Sequence, residues 1–233
     1  MKLIAHRGAS LLRPENSLDS LQHAADLGAD VVECDIRLTC DGVPVVFHDP
    51  DLLRLTGRPL RVADASEAEI RSALEQAGRS LLTLPDLLTA FTGPADLLLH
   101  LKVSPPPALL THLETSTAGI ICGVSDLAAL DVLRACLPPE QILAFVGHWN
   151  AIGTFSAHGA GIVRLWENWL TEITPDQVHE AEHRPVWIMA NRNGSMDGCP
   201  ESLELFRHLH ADGVLLNDIA MAIEWKNQDQ TRV

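Results

Sequence analysis

Short apolar runs alternate along the chain with segments whose apolar residues recur at helical spacing. Residues 31–38 are rich in β-branched side chains and predict a strand. Residues 17–27 predict a helix, with Asn16 or Ser17 as its cap and Gly28 as its stop signal. A regular alternation of this kind is typical of parallel strands joined by helical crossovers.

The same two patterns recur to the end of the chain. Further strands are predicted at residues 4–5, 43–48, 97–103, 119–123, 142–146, 162–165, 186–190 and 213–216. Further helices are predicted at residues 66–74, 84–91, 127–137, 174–182 and 201–209. About eight barrel strands predict an α/β fold, a slightly distorted (β/α)8 TIM barrel with a short insertion after the third strand, within residues 51–82. The alternative is a doubly wound open sheet, although the chain has neither a G-x-G-x-x-G nor a P-loop sequence.

Composition and charge narrow the class of protein. Hydrophobic residues make up 46% and charged residues 21% of the 233 residues, which allows one folded domain with a buried core. We expect a single domain over residues 1–225 and a polar C-terminal tail over residues 226–233, frayed from Trp225 onward. The formal net charge of −14 argues against nucleic acid or an anionic membrane surface as partner. A small anionic substrate stays compatible, because a metal ion or a few cations reverse the field inside one pocket.

Cysteine usage and the length of the apolar runs predict a cytoplasmic protein. The five cysteines are an odd number without a C-x-x-C pair, so we expect free thiols rather than disulfides or a zinc ribbon. The N-terminal apolar run is too short for a signal peptide, and no stretch approaches the ~18 apolar residues of a membrane span. Nothing in the sequence indicates an oligomeric state.

Polar side chains gather at the predicted strand ends of the first fifty residues. His6 follows a strand directly, and catalytic groups of parallel barrels lie at the C-terminal ends of strands. Glu33 and Asp35 are two residues apart on one strand, so their side chains share a face. Two carboxylates in an apolar run are costly to bury unless they are paired or bind a cation, and such oxygen ligands suit Mg²⁺ or Ca²⁺.

A predicted hairpin adds a second histidine to this group. If the turn at residues 41–42 is tight, antiparallel pairing places His48 roughly opposite Asp35. Lys102, at the end of a later strand, and Arg7 would join the same pocket and attract an oxyanion such as phosphate. Histidines, carboxylates and cations together favour phosphodiester cleavage.

Four motifs in this order resemble the signature of the glycerophosphodiester phosphodiesterase family. They are His6-Arg7-Gly8, Pro14-Glu15-Asn16-Ser17, Glu33-Cys34-Asp35, and the run from Asp41-Gly42-Val43 through His48-Asp49. The resemblance implies a (β/α)8 barrel that hydrolyses small glycerophosphodiesters to glycerol 3-phosphate and an alcohol with a divalent metal ion (Mg, Ca or Mn). It also implies site residues: His6 and His48 as general acid and base, Arg7 and Lys102 on the phosphate, Glu15 in the pocket, and Glu33 and Asp35 on the metal.

The chain departs from the family pattern at two places. His100 stands where the family's Glu-x-Lys motif has a metal-binding glutamate. An imidazole ligand is neutral and softer than a carboxylate, so the metal preference would shift towards Mn²⁺ or Zn²⁺. If His100 is not a ligand, it is a hydrogen-bonding neighbour or a bystander. Residues 217–219 read Asn-Asp-Ile where the family usually has Thr-Asp-x-Pro, which affects the last loop.

Two further functional hypotheses stay open beside the first. One is a phosphodiesterase or lyase that acts on a larger lipid head group through a cyclic phosphate. The other is a barrel that only binds phosphodiesters, because His100 weakens the metal site. We also expect Trp187, and the group Arg164, Trp166 and Trp169, at the pocket mouth against the alcohol part of the substrate.

Overall fold

The computed structural model describes residues 1–114 and 119–230, in which nine strands and ten α-helices follow one another. The strands are β1 (Lys2–Ala5), β2 (Val31–Leu38), β3 (Pro44–Val46), β4 (Asp96–Leu101), β5 (Ile120–Val124), β6 (Ile142–Ala144), β7 (Ile162–Trp166), β8 (Val186–Met189) and β9 (Gly213–Leu216). The helices are α1 (Leu18–Leu27), α2 (Leu53–Thr56), α3 (Glu67–Gln76), α4 (Leu84–Ala90), α5 (Pro107–Glu114), α6 (Leu127–Arg134), α7 (Ile152–Ala157), α8 (Pro175–Glu182), α9 (Pro200–His208) and α10 (Ile219–Gln230).

Eight of the strands close into a parallel barrel. Strand β1 pairs with β9 on one side and with β2 on the other, and β4 to β9 follow β2 in chain order. Because the first and last strands meet, the sheet has no free edge among these eight strands. The predicted (β/α)8 barrel is therefore confirmed, and the open doubly wound sheet is excluded. Strand β3 lies outside the barrel and pairs antiparallel with β2.

The hairpin between β2 and β3 differs from the tight turn predicted at residues 41–42. Leu38 pairs with Pro44, so five residues connect the two strands. The Asp41 carboxylate accepts hydrogen bonds from the Thr39 hydroxyl and from the backbone N–H of Glu67, which holds this wider loop open. The backbone N–H of Phe47, not of His48, donates to the carbonyl of Asp35. His48 therefore lies one residue beyond the position predicted opposite Asp35.

The predicted insertion after β3 is a small subdomain with its own apolar cluster. Helices α2 and α3 pack together, and α3 begins at a capping box in which Ser66 and Glu69 bond each other's backbone N–H groups. Val45 and Phe47 of the β3 region join the buried side chains of the insertion in one cluster. The insertion is thereby attached to the hairpin that carries His48.

Alternation along each strand separates two layers. Outward residues such as Leu3 and Val32 pack against the helices, while inward residues such as Ile4, Val31 and Leu98 fill the barrel. The inward residues nearer the C-terminal ends of the strands are polar instead: His6, Glu33, Asp35, His100, Lys102 and Arg164. The site is therefore the continuation of the barrel interior at its C-terminal end.

The segment from Trp225 to Gln230 is helical, contrary to the fraying that its composition predicted. Helix α10 runs to Gln230, Trp225 packs against the core, and the Lys226 ammonium lies 2.8 Å from the Asp30 carboxylate. The fraying expected from Trp225 is therefore wrong for this helix, because an apolar contact and an ion pair attach it. Residues 231–233 of the predicted tail lie outside the described residues. No helix in the described ranges is both long and apolar enough to cross a membrane.

Candidate active site

The structure brings the predicted site residues together at the C-terminal end of the barrel. A cavity of about 300 Å³ is lined by six of them: His6, Arg7, Glu33, His48, His100 and Lys102. Asp35 contacts three of these six side chains. Glu15 instead lines a neighbouring groove of about 460 Å³ that also contains His48 and residues of the insertion.

Glu33, Asp35 and His100 form a compact group of ligand atoms. One atom from each side chain lies within 4.8 Å of the others. Both carboxylates are 1% exposed, so their charges interact at close range in a poorly solvated site. Burial and the neighbouring Asp35 raise the pKa of Glu33 to about 8. Burial also opposes ionisation of Asp35, but the nearby cations, Lys102 first, hold its pKa well below the usual range.

This group fits a divalent cation. Asp35 Oδ1 has no hydrogen-bond donor in suitable geometry among the described residues, although the Lys102 ammonium lies 3.0 Å from it. The Nδ1 atom of His100 lies 3.5 Å from Asp35 and 3.7 Å from Glu33, and it accepts a hydrogen bond from Lys102. Burial and Lys102 lower the pKa of His100, so its imidazole is neutral and has a lone pair on the side of the carboxylates. Two oxygen donors and one nitrogen donor therefore lie together, and the nitrogen becomes available to a metal ion when Lys102 moves away from it.

The loop after β1 positions Arg7 over these carboxylates. Arg7 and Gly8 both adopt positive φ, at 57° and 80°. A Cβ atom at Gly8 would lie 2.5 Å from the Ser20 hydroxyl oxygen and within 2.7 Å of its backbone carbonyl, so only glycine allows α1 to approach the loop. The turn directs the backbone N–H of Arg7 to Glu33 Oε2 at 2.9 Å. The Arg7 side chain then reaches Asp35, with Nε 3.3 Å from Oδ2.

A chain of ion pairs connects Arg7 with His48. Arg7 Nη1 lies 3.1 Å from one oxygen of Glu15, and Arg54 of the insertion pairs with the other oxygen. Arg54 also donates to Asp49 at 2.6 Å, and the second oxygen of Asp49 accepts a hydrogen bond from His48 Nδ1 at 2.7 Å. Burial disfavours a charged Glu15, but its bonds to Arg54 and Arg7 lower its pKa overall. Glu15 therefore acts as an ionised bridge between two arginines.

His6 is held by a different kind of partner. Its Nδ1 lies 2.8 Å from Asn217 Oδ1, and Asn217 Nδ2 donates to Asp197 at 2.9 Å. Because the carboxylate of Asp197 only accepts, the amide of Asn217 must present its oxygen to His6, and His6 Nδ1 must carry the proton. Burial, with Arg7 adding to it, lowers the pKa of His6 to about 4. His6 is thus neutral, with Nε2 left for the cavity.

Asn16 and Phe145 position site residues without a signal of their own in the sequence. Asn16 donates to Asp35 Oδ2 and accepts from the Asp35 backbone N–H, at 3.0 and 3.1 Å. The Phe145 ring stacks on His100 with centroids 3.8 Å apart. A Cβ atom at Gly123 would lie 2.3 Å from this ring, so the glycine leaves the space for the stack. Asn16 and Gly123 belong to segments singled out in the sequence, but the contacts between strands that explain them are visible only in the fold.

Trp187 is not in the pocket, contrary to the prediction. It is 3% exposed and belongs to the apolar interior of the barrel, where it lines a cavity at the opposite end beside Lys2 and Asp212. Its inward neighbour two residues along β8, Met189, is the one that lines the site. Two residues correspond to ~6.6 Å along a strand, which is enough to move a side chain one layer deeper. Gly213 leaves room there for the indole, since a Cβ would lie 2.9 Å from it.

Of the group predicted at the pocket mouth, Arg164 and Trp166 line the pocket, whereas Trp169 is not among its described lining residues. The Arg164 guanidinium lies 4.3 Å from the Trp166 ring centroid, 5.5 Å from that of Phe145 and 5.6 Å from that of Trp169. Burial lowers the pKa of Arg164 to about 9, so it still carries its charge near neutral pH. Contact of this group with the alcohol part of a substrate stays a prediction.

The chain is thus a (β/α)8 barrel with a candidate cation site and two histidines at its C-terminal end, and comparisons with known proteins identify its family. The model of the Glycerophosphoryl diester phosphodiesterase family matches residues 6–132, more than half of the chain. The chain therefore belongs to this family. The matched range includes the predicted catalytic, phosphate-binding and metal-binding residues, whereas Trp187, Asn217 and the group Arg164, Trp166 and Trp169 lie outside it.

Individual relatives agree with this assignment. The chain is 43% identical over 88 residues to "Probable glycerophosphodiester phosphodiesterase 2" of Mycobacterium tuberculosis, a match that covers 37% of this chain and 33% of that protein. The chain thus spans about a third of that relative's length. A glycerophosphodiester phosphodiesterase from Thermotoga maritima has the same fold, with a TM-score of 0.78 at 19% identity over 96% of this chain and 97% of that one. An Oleispira antarctica phosphodiesterase, solved with the product sn-glycerol-3-phosphate, has a TM-score of 0.74 at 22% identity and covers 100% of this chain and 97% of that one.

Proposed function

We propose that this chain hydrolyses glycerophosphodiesters to glycerol 3-phosphate and an alcohol with the help of a divalent metal ion. The observation that carries the proposal is the convergence of His6 and His48 on one cavity beside Glu33, Asp35 and His100. Each histidine is bonded through Nδ1, so each has Nε2 free to exchange a proton with a substrate. The Oleispira relative with bound sn-glycerol-3-phosphate supports this class of product.

The two histidines suit different proton-transfer roles. His48 Nδ1 is hydrogen-bonded to the carboxylate of Asp49, which holds the ring with its Nε2 directed away from Asp49, as the role of general acid requires. His6 pairs with the neutral amide of Asn217 and is neutral, which suits a general base. In the proposed step His6 takes a proton from the attacking water, the new oxygen–phosphorus bond forms, the bond from phosphorus to the alcohol oxygen breaks, and His48 protonates that oxygen.

The remaining site residues bind and neutralise the phosphodiester. Arg7 and Lys102 line the cavity beside the carboxylates and would hold the phosphate oxygens. Glu33, Asp35 and His100 would hold the metal ion. When bound, a divalent ion polarises the phosphoryl group as a Lewis acid. In this structure Lys102 donates to His100 and lies 3.0 Å from Asp35. Its positive charge therefore offsets part of the negative charge of the two carboxylates that would bind the metal ion.

Replacement of each histidine tests the proposal. His6→Ala and His48→Ala should each lower kcat by ~10²–10⁴, as loss of a proton-transfer group does. His208→Ala is the matched control, because His208 is exposed on α9 and should leave kcat unchanged. Phosphorus NMR of the first product separates open-chain glycerol 3-phosphate from a cyclic phosphate. Substantial turnover by either site variant would remove that histidine from the mechanism.

A further inference from the structure

Arg164 is a buried cation without an anionic partner. It is 5% exposed, and its Nε and Nη1 atoms have no hydrogen-bond acceptor within residues 1–114 and 119–230. No ion pair of Arg164 occurs in these ranges either. Buried guanidinium groups are ordinarily paired with carboxylates or fully hydrogen-bonded, since both the charge and the N–H donors lose water. Among the described residues, Arg164 therefore has N–H donors without acceptors and a charge without a counterion, in a cavity that it lines.

The surrounding rings stabilise the guanidinium only in part. Trp166 lies 4.3 Å from the Arg164 Cζ atom, and the Trp169 and Phe145 rings are within 5.6 Å. Aromatic rings attract a cation through their faces. The N–H donors of a guanidinium lie in its plane and point away from such contacts. The rings thus fix the position of the cation and leave its donors for a ligand.

Arg164 and His100 both contact the Phe145 ring. The Phe145 ring is stacked at 3.8 Å on His100 and lies 5.5 Å from the Arg164 Cζ atom. Arg164 is therefore no more than about 9 Å from the His100 ring, within the same cavity. Arg7 and Lys102, which we propose hold the scissile phosphate, line the same cavity. A substrate held there places its next functional group, not its phosphodiester, near Arg164.

We propose that Arg164 binds an anionic group on the alcohol part of the diester, so that this enzyme prefers head groups carrying a carboxylate or a second phosphate. This inference rests on the proposed function and specifies its substrate class. An anion satisfies both the charge and the in-plane donors, whereas a neutral hydroxyl satisfies only a donor. A choline head group is disfavoured, because the aromatic faces that would bind a quaternary ammonium are already covered by Arg164.

Two substrates that differ only in a carboxylate give the sharpest test. Glycerophosphoserine and glycerophosphoethanolamine share the glycerophosphate and the amine. The wild type should show at least ~10-fold higher kcat/KM for glycerophosphoserine, the value expected of one charge-assisted hydrogen-bonded contact. Arg164→Met should bring the ratio close to one, mainly by lowering activity on glycerophosphoserine. Arg164→Lys should retain part of the preference, since it keeps the charge but not the planar donors.

A matched arginine controls for the loss of a cation. Arg184 also has an unpaired Nε atom, but it lines the cavity at the opposite end of the barrel. Arg184→Met should keep the wild-type ratio. Glycerophosphoglycerol with and without a terminal phosphate forms a second pair of substrates. If Arg164→Met loses the preference in just one of the two pairs, that pair identifies the anion that Arg164 binds. Equal ratios in the wild type and in Arg164→Met for both pairs would overturn the proposal.

Binding separates failure of this inference from failure of the proposed function. If no diester is hydrolysed with Mg²⁺, Ca²⁺ or Mn²⁺, the proposed activity is wrong. Calorimetry with the same four diesters then measures affinity directly in the wild type and in Arg164→Met. Weaker binding of only the anionic members by Arg164→Met still supports the anion site. Equal affinities in the two proteins contradict it.

Discussion

Both site histidines are bonded through Nδ1, but their partners differ in charge. His48 has a carboxylate, Asp49, and His6 has an amide, Asn217, whose orientation Asp197 fixes. Both partners accept the Nδ1 proton, and so fix the tautomer and the orientation of each ring. The lowered pKa of His6 comes mainly from its burial, with Arg7 adding to it, whereas the hydrogen bond to Asn217 acts in the opposite direction.

Removal of the Asn217 amide should affect catalysis through the orientation of His6. Asn217→Ala should lower kcat about 10- to 100-fold with little change in KM, since the ring loses its tautomer and its direction. Asn217→Asp should retain more activity and move the acidic limb of the pH–rate profile to higher pH, because a carboxylate favours imidazolium. Asn227→Ala, on the exposed side of α10, is the control. Equal kcat in Asn217→Ala and the wild type would show that the amide does not position His6.

The low proton affinity of His6 predicts a specific loss of stability in acid. Burial, reinforced by Arg7, lowers its pKa from 6.5 to about 4 in the folded chain. Between pH 6.5 and pH 4 the unfolded chain binds more protons at this position, so the free energy of unfolding falls as the pH falls through that window. The contribution is complete above pH 6.5 and is on the order of 3 kcal/mol.

Urea unfolding at pH 7, 5.5 and 4.5 measures this contribution by comparison with a variant that cannot titrate. His6→Gln should lose less stability than the wild type over this range, although other groups also titrate there and act on both proteins. If the stabilities of the two proteins fall in parallel, His6 does not have the lowered pKa that the structure assigns to it.

At the level of helices and strands, the limits of α1 and β2 follow from local chemistry. Ser17 caps α1 by accepting from the backbone N–H of Ser20, and Gly28 ends it in the left-handed conformation, as the sequence predicted. Strand β2 covers residues 31–38 as predicted, because its apolar and β-branched residues are buried on both faces. Helices α5, α7 and α10 were not predicted, since they are short or lack a clear apolar stripe.

The sequence indicates whether a strand residue faces into or out of the barrel, but not how far along the barrel axis its side chain lies. Glu33, Asp35, His100 and Lys102 were predicted on one pocket, because alternation places residues two apart on the same side. Trp187 was wrongly placed for the same reason: the pattern shows that it faces inward, but the stagger of β8 against β9 decides whether it reaches the pocket. The contacts of Asn217 with His6, and of Phe145 with His100, join distant strands and depend on that stagger.

The close approach of α1 to the loop after β1 gives a prediction at this scale. Gly8→Ala should destabilise the fold by roughly 1–2 kcal/mol for the positive φ and by roughly 1–3 kcal/mol more for the contact with Ser20. Gly42→Ala isolates the first contribution, since Gly42 has the same φ of 80° but no atom within 4 Å of its would-be Cβ. Thermal or urea unfolding of both variants checks the difference. Equal losses would show that the helix moves away without cost.

Across the whole molecule, the insertion is part of the site rather than an addition to it. Arg54 of α2 pairs with both Glu15 and Asp49, and so joins the loop after β1 to the hairpin of His48. A continuous series of contacts then runs from Asp35 through Arg7, Glu15 and Arg54 to Asp49 and His48. The barrel supplies the metal-binding group, and the insertion fixes one of the two histidines relative to it.

If His100 is the third ligand of the proposed metal ion, its imidazole sets the metal preference of the site. His100→Glu places a third carboxylate beside Glu33 and Asp35, and three carboxylates bind a hard ion better by charge and by ligand type. The Mg²⁺ concentration at half-maximal activity should fall by on the order of tenfold. His100→Ala should raise it. An unchanged Mg²⁺ midpoint in His100→Glu would count against His100 as a ligand and leave a site with two carboxylates.

The most direct measurement of the central claim is metal-dependent release of glycerol 3-phosphate from a glycerophosphodiester, followed by phosphorus NMR. The wild type should be inactive after chelation and should regain activity with Mg²⁺, Ca²⁺ or Mn²⁺. Glu33→Gln and Asp35→Asn should need more metal and recover in part at high metal, since they retain the shape of the site but lose its charge. Full activity of the wild type in excess chelator, or no phosphomonoester with any of the three ions, would contradict the account.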